Sequence, residues 1–360
     1  MALKAVPVLE IPTLDQVPEL PSVALPSPRR ASPPSFTVIG HRGRGMNSLS
    51  SAAVRENSIL SFNEAARFPI TFVEFDVQVT GDGVPVIFHD VFILTSDIGG
   101  CVSERRVSDL SVEEFLSYGS QKQPGRTEKP LLRRAADGTV FEWVVKADDS
   151  LCTLDEAFQS VDPRLGFNIE LKFDDDRFYQ ESDLAKTITI ILRSVSASAG
   201  GRPVIFSTFH PDAARIVRML QGDYPVFFLT DGGIEIYGDP RRNSLEEAVK
   251  LCAKNGLEGI VSEVRAVLRS PAAVAGIKEA ELRLLTYGDL NNKAEVVYLQ
   301  RMMGIDGVIV DRVQEIGEAV SGLVGTTTGG GEGEGRAAGA IFSEGKLSFL
   351  GKLIAELVRQ

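Results

Sequence analysis

The sequence predicts a (β/α)8 barrel of the TIM type with an insertion after the second strand and its hairpin. Three observations carry that expectation. Eight short β-rich runs alternate with helical patterns from Phe36 onward, which is the order of a parallel sheet with crossover helices, and eight is the number that closes. Many of the runs are near-continuously apolar, as strands buried on both faces must be. A chain of 360 residues accommodates one such barrel with additions.

In chain order, residues 1–35 are rich in Pro, Ser and Ala and lack a sustained apolar period, the composition of a disordered leader. The barrel is expected over 36–323. Its strands are Thr37–Gly40, Phe72–Val79, Phe167–Leu171, Val204–Phe209, Val226–Leu229, Gly259–Val264, Leu282–Tyr287 and Gly307–Val310. Pro85–Phe88 follows Gly81-Asp82-Gly83 closely and reads as a hairpin return on the second strand. Helical patterns occupy Ser58–Arg67, Thr153–Ser160, Pro211–Leu220, Ser244–Ala253 and Asn292–Met303. Thr153 with Glu156 three residues on makes a capping box, and Asn243 or Ser244 caps the fourth pattern. Two segments break the rhythm. Residues 91–150 are rich in charge, Gly and turn signals, and long irregular segments of this kind are usually functional loops or lids. Residues 324–340 are a Gly-rich linker, after which Leu347, Leu350, Leu353, Ile354, Leu357 and Val358 recur at helical spacing and predict an amphipathic C-terminal helix over 341–360.

Composition narrows the partners. Lys and Arg number 38 against 49 Asp and Glu, a net charge of −11, so no broad basic face is implied and nucleic acid is excluded as a partner class. A small anion still fits if a few cations and a metal are focused in one cleft. No apolar run approaches the ~20 residues of a transmembrane helix. Cys101, Cys152 and Cys252 share no metal-ligand spacing and read as small apolar residues in a reducing compartment. Oligomeric state is left open, a homo-oligomer included.

Barrel chemistry gathers at the C-terminal ends of strands, and there the ionisable residues concentrate. The first strand runs into His41-Arg42-Gly43, the second carries Glu74 and Asp76, the hairpin return ends in His89-Asp90, and the third carries Glu170 and Lys172. Glu74 and Asp76 are two apart on a strand and share a face. If that face is the interior, the carboxylates repel unless a cation lies between them. With Glu170 they make a set of three suited to Mg²⁺ or Ca²⁺, both oxygen-seeking. A solvated acidic face is the alternative, and the flanking Phe72, Val73, Phe75 and Val77 argue against it. The chain has three histidines. His41 and His89 stand beside the acidic set, where a pair can serve as general acid and base; His210 belongs to the site rim or to the framework. Arg42 and Lys172 are the cations a phosphodiester would need.

In this order and spacing, His41-Arg42-Gly43, Glu56-Asn57, Glu74-Phe75-Asp76, Asp82-Gly83, His89-Asp90, Glu170-Leu171-Lys172 and Asp306-Gly307-Val308-Ile309-Val310-Asp311 resemble the glycerophosphodiester phosphodiesterases. Glu56–Phe62, Asn243–Ala248 and Leu285–Asn292 are most similar to the plant members. The resemblance implies metal-dependent hydrolysis of small-molecule glycerophosphodiesters, such as glycerophosphocholine and glycerophosphoethanolamine, to sn-glycerol 3-phosphate and an alcohol. It implies that Glu74, Asp76 and Glu170 hold a divalent cation, that His41 and His89 are catalytic, and that Arg42 and Lys172 bind the phosphate. Glu56 matches a supporting acidic position that orients Arg42 or reaches the metal. Tyr287 stands where many members carry Trp, which keeps an aromatic wall toward the substrate. The expected location is intracellular, in the chloroplast or the cytoplasm; Glu10, Asp15 and Glu19 are uncommon in a transit peptide. Two rivals remain: a related barrel that cleaves phospholipids, which would want an apolar rim, and an inactive barrel kept as a binding module, which would be expected to have lost a site residue.

Overall fold

Along the chain, β1 (Thr37–Gly40) and β2 (Phe72–Val79) are followed by the return strand β3 (Pro85–Ile87) and by β4 (Phe92–Ser96), β5 (Val102–Arg106), β6 (Leu132–Arg134) and β7 (Val140–Glu142) of the insertion. Then come β8 (Gly166–Leu171), β9 (Val204–Thr208), β10 (Val226–Thr230), β11 (Gly259–Glu263), β12 (Arg283–Tyr287) and β13 (Gly307–Val310). This computed structural model describes residues 36–325 apart from 48–52, 123–124, 126–128 and 136, together with Lys352. Strand β1 pairs in parallel with β13 on one side and β2 on the other, and the run β2, β8, β9, β10, β11, β12, β13 is continuous. The eight parallel strands therefore close into a barrel, with β3 antiparallel on β2 as a hairpin.

Side-chain alternation divides each strand between two cores. Val73, Phe75 and Val77 of β2, and Phe167, Ile169 and Leu171 of β8, point outward into the layer between barrel and helices. Inward positions on the other strands supply Ile39, Ile205, Phe227, Leu229, Val261, Leu285 and Ile309, which pack as a plug inside the barrel. Gly259 is one place where a side chain has no room: a Cβ there would stand 2.7 Å from the Phe227 ring and 2.8 Å from the Arg283 carbonyl oxygen.

The expected helices form, and the capping box at Thr153 and the cap at Ser244 stand as expected. Ser58 caps Ile59–Ala65, and Thr153 and Glu156 make the reciprocal box on Leu154–Ser160. Ser244 caps Leu245–Asn255. The helix Glu181–Ser198, the longest of those described, was not among those expected. Its Thr187-Ile188-Thr189-Ile190-Ile191 run is β-branched throughout and disfavours helix locally, yet Leu184, Ile188, Ile191 and Val195 are buried at helical spacing. Tertiary burial outweighs the propensity.

The segment 91–150 differs from the expected irregular loop. Strands β4 to β7 form an antiparallel sheet in the order β5-β4-β6-β7, and Ser111 and Glu114 cap a short helix, Val112–Leu116. Phe88, Ile93, Phe115, Leu131 and Trp143 give it an apolar cluster of its own. Strand β5 is exposed over nearly its whole length, so it carries no hydrophobic alternation by which to be recognised. Cys152 and Cys252 are buried, whereas Cys101 is exposed. The last helix runs Val313–Gly325, to the start of the Gly-rich stretch. The expected leader, most of the linker and, apart from Lys352, the C-terminal helix lie outside the described residues.

Candidate active site

The acidic set stands at the C-terminal ends of β2 and β8. Register places Glu74 beside Asn168 and Asp76 beside Glu170, and period two turns all four inward. Oxygens of Glu74, Asp76 and Glu170 lie within 4.8 Å of one another. Glu74 and Asp76 are 3% and 1% exposed. Burial, together with the charges of Asp76 and Glu170, pushes the Glu74 carboxyl up to about 8. Asp76 goes the other way: despite its burial, the charges of His89, Arg42 and Lys172 and a hydrogen bond from Asn57 hold it well below the usual carboxylate range. One Glu74 oxygen, Oε1, is buried without a hydrogen-bond partner. An orphaned carboxylate oxygen within a cluster of three acids is what a hard divalent cation would satisfy, so these residues fit Mg²⁺ or Ca²⁺.

Two strained backbones hold this arrangement. Arg42 and Asn57 adopt left-handed φ values of 49° and 54°, a conformation that costs non-glycine residues on the order of 1–3 kcal/mol each. In return the Arg42 backbone N–H donates to Glu74 Oε2 at 3.0 Å, and Asn57 Nδ2 donates to Asp76 Oδ2 at 2.8 Å. The Arg42 guanidinium donates to Glu56 Oε1 at 2.8 Å and lies 3.5 Å from Asp76. Glu56 thus orients Arg42 and is not part of the acidic trio. Lys172 Nζ bonds Glu170 at 2.8 Å and lies 3.6 Å from Asp76.

Each site histidine is held by a carboxylate. His41 Nδ1 is 2.8 Å from Asp311 Oδ1 just beyond β13, and His89 Nδ1 is 2.7 Å from Asp90 Oδ1. An ionised carboxylate only accepts, so Nδ1 carries the proton and Nε2 is left as the basic nitrogen. Burial lowers His41, but the Asp311 hydrogen bond and the charges of Glu74 and Asp311 raise it above its ordinary value. Burial and the charges of Arg42 and Lys172 hold His89 below it. His210 is part of the framework: its Nδ1 accepts from the Ala213 N–H at the start of the helix Pro211–Leu220, and its ring packs on Phe173.

His41, Arg42, Glu74, His89, Glu170, Lys172 and Tyr287 all line one cavity of about 320 Å³. Of its far wall, only Tyr287 was foreseen. Asp231 accepts from both Tyr287 and Tyr237, and Arg242 lies 3.6 Å over the Tyr237 ring while bonding Asp175 at 2.7 Å. Asp90 and Asp311 stood in recognised runs without an assigned role. Nothing local marked Asp231, whose partner Tyr287 is 56 residues away.

A sequence profile described as the glycerophosphoryl diester phosphodiesterase family matches residues 41–315. The Arabidopsis thaliana protein named glycerophosphodiester phosphodiesterase GDPD1, chloroplastic, is 53% identical over 365 residues, covering all of both chains. Arabidopsis thaliana GDPD3, also named a glycerophosphodiester phosphodiesterase, is 55% identical over 306 residues, covering 84% of this chain and 82% of its own. Among solved structures, an Oleispira antarctica phosphodiesterase in complex with the product sn-glycerol 3-phosphate superposes with a TM-score of 0.57 at 21% identity, covering 80% of this chain and 97% of that one. No helix among the described residues is long and apolar enough to cross a membrane.

Proposed function

The chain belongs to the glycerophosphoryl diester phosphodiesterase family and is a glycerophosphodiester phosphodiesterase, and on that premise we propose that it cleaves glycerophosphodiesters such as glycerophosphocholine by histidine acid–base catalysis at a divalent-cation site. The observation that carries this reading is the convergence of two carboxylate-held histidines on one cavity with Glu74 and Glu170, which cluster with the buried Asp76.

Glu74, Asp76 and Glu170 would hold the cation, Mg²⁺ by preference and Ca²⁺ as the alternative. When bound, it supplies Lewis-acid polarisation of a phosphoryl oxygen. Arg42, kept by Glu56 at the cavity wall, grips the phosphate, and Lys172 adds a second positive charge. One histidine takes the proton of the nucleophile through Nε2, and the other gives a proton to the leaving alkoxide. Among the described residues, the hydrogen bonds of His41 and His89 are to carboxylates, and no Ser or Cys pairs with either as a covalent nucleophile would. The glycerol 2-hydroxyl therefore attacks phosphorus, the P–O bond to the alcohol breaks, and water then opens the five-membered cyclic phosphate to sn-glycerol 3-phosphate. Intramolecular attack has an effective molarity up to ~10⁵ M or more, which accounts for a demand for glycerol on one side and tolerance on the other.

His41→Ala and His89→Ala should each lower kcat by about 10²–10⁴ with Mg²⁺ binding kept. A diester whose glycerol lacks the 2-hydroxyl should be turned over at a small fraction of the normal rate; normal turnover would remove the cyclic route. By likeness to GDPD1, chloroplastic, we assign the protein to the plastid. A full-length fluorescent fusion confined to the cytosol would reverse that assignment.

A further inference from the structure

Arg133 carries the insertion to the groups that hold the active site. Arg133 lies on β6, and 14% of its side chain is exposed. Its guanidinium donates to Glu56 Oε1 at 3.0 Å and Oε2 at 3.2 Å and to the Asn47 carbonyl at 3.0 Å, and its Nε stands 3.5 Å from Asp90 Oδ2. Its two acidic partners each hold a different group of the site. Glu56 holds Arg42, and Asp90 holds His89 Nδ1. The ring of Trp143, from the same insertion, lies 4.4 Å from the Arg133 guanidinium and 4.8 Å from that of Arg55.

We infer that Arg133 is a positioning residue for the reaction, setting Arg42 through Glu56 and His89 through Asp90, so that the insertion is part of the active site and not only a cover over it. This rests on the proposed roles of Arg42 and His89. The Glu56 side chain is fully enclosed, and its charge is shared between two guanidiniums. Without Arg133 the whole of that charge falls on Arg42 and draws it away from the phosphate. Asp90 likewise loses a cation that fixes which way it faces His89. A buried acid deprived of one partner does not stay in place at no cost. The planar fork spreads its donors over two carboxylates and a carbonyl at once, a reach that the compact ammonium of Lys lacks.

The test compares kcat and KM of Arg133→Met and Arg133→Lys with glycerophosphocholine as the probe. Trp143 is the single tryptophan of the chain, so the quenching of its emission reports whether the insertion is docked. Arg133→Met should lose on the order of 10²-fold in kcat/KM, the scale of a small misplacement of reacting groups, with Trp143 still as shielded from acrylamide quenching as in the wild type, although loss of the guanidinium 4.4 Å from its ring shifts the emission itself. Arg133→Lys should recover only part of that loss. In an Asp90→Asn background the same Arg133→Met change should cost less than in the wild type, because the route through Asp90 is already lost while the route through Glu56 remains. A kcat/KM within threefold of wild type for Arg133→Met, or an equal loss in both backgrounds, overturns the inference. If Arg133→Met does not fold, Arg133→Lys decides: full wild-type activity overturns. An active His89→Ala would instead break the reading of the site itself, whereas an inactive His89→Ala beside an active Arg133→Met breaks only the role of Arg133.

Discussion

Two arcs of the barrel interior are built on the same strand geometry and do opposite things. On β2 and β8 the inward positions carry Glu74, Asp76, Asn168 and Glu170. From β9 to β13 they carry Ile205, Phe227, Leu229, Val261, Leu285 and Ile309. Among the inward strand positions named, charge lies on β2 and β8, where Arg42 and Lys172 reach it. On the other arc those strand positions form an apolar wall, and the charged Asp231 and Arg242 of the cavity come from beyond the end of β10. The difference shows that the fold supplies positions and not polarity. It also has an electrostatic use: an apolar wall lowers the local dielectric and strengthens each ionic contact opposite it.

The comparison breaks most sharply on the charged arc. Chelation with EDTA, or Asp76→Asn, should lower activity on the order of 10³-fold or more if the three acids serve a cation. Mg²⁺ at about 100 times its Kd should stabilise the wild type by about 2.7 kcal/mol, and Asp76→Asn should lose most of that gain. Full activity after exhaustive chelation would remove the metal from the scheme. On the apolar arc the expected losses are in stability. Phe227→Ala empties a fully buried site against Gly259 and should cost about 3–5 kcal/mol in denaturant unfolding. Its kcat, measured below the unfolding transition, should stay within a few-fold of wild type, because Phe227 does not line the cavity. A large kcat loss in folded Phe227→Ala would show that the two arcs are not separable.

What the sequence revealed divides along similar lines. The barrel strands were legible because each is a short apolar run: Phe72–Val79 and Gly307–Val310 have the expected bounds. The acidic trio was legible because ionisable residues on such runs stand out. The Asp231–Tyr287 pair and the contacts of Arg133 were not, since they join residues 56 and 77 positions apart and leave no local pattern. The sheet of the insertion escaped for another reason. Its strand β5, Val-Ser-Glu-Arg-Arg, lies exposed at an edge, where strands need no apolar face.

The closing strand has a consequence for how the enzyme comes into being. His41 is oriented by Asp311, 270 residues later in the chain, and β13 is also the strand that completes the ring against β1. Contacts of such separation form late, after many loop-closure costs have been met. A nascent chain that has made every strand but the last already contains both histidines and all three acids, yet lacks the carboxylate that holds His41. On the proposed role of His41, hydrolytic competence should arrive together with ring closure, so that partly made or opened barrels should be poor catalysts.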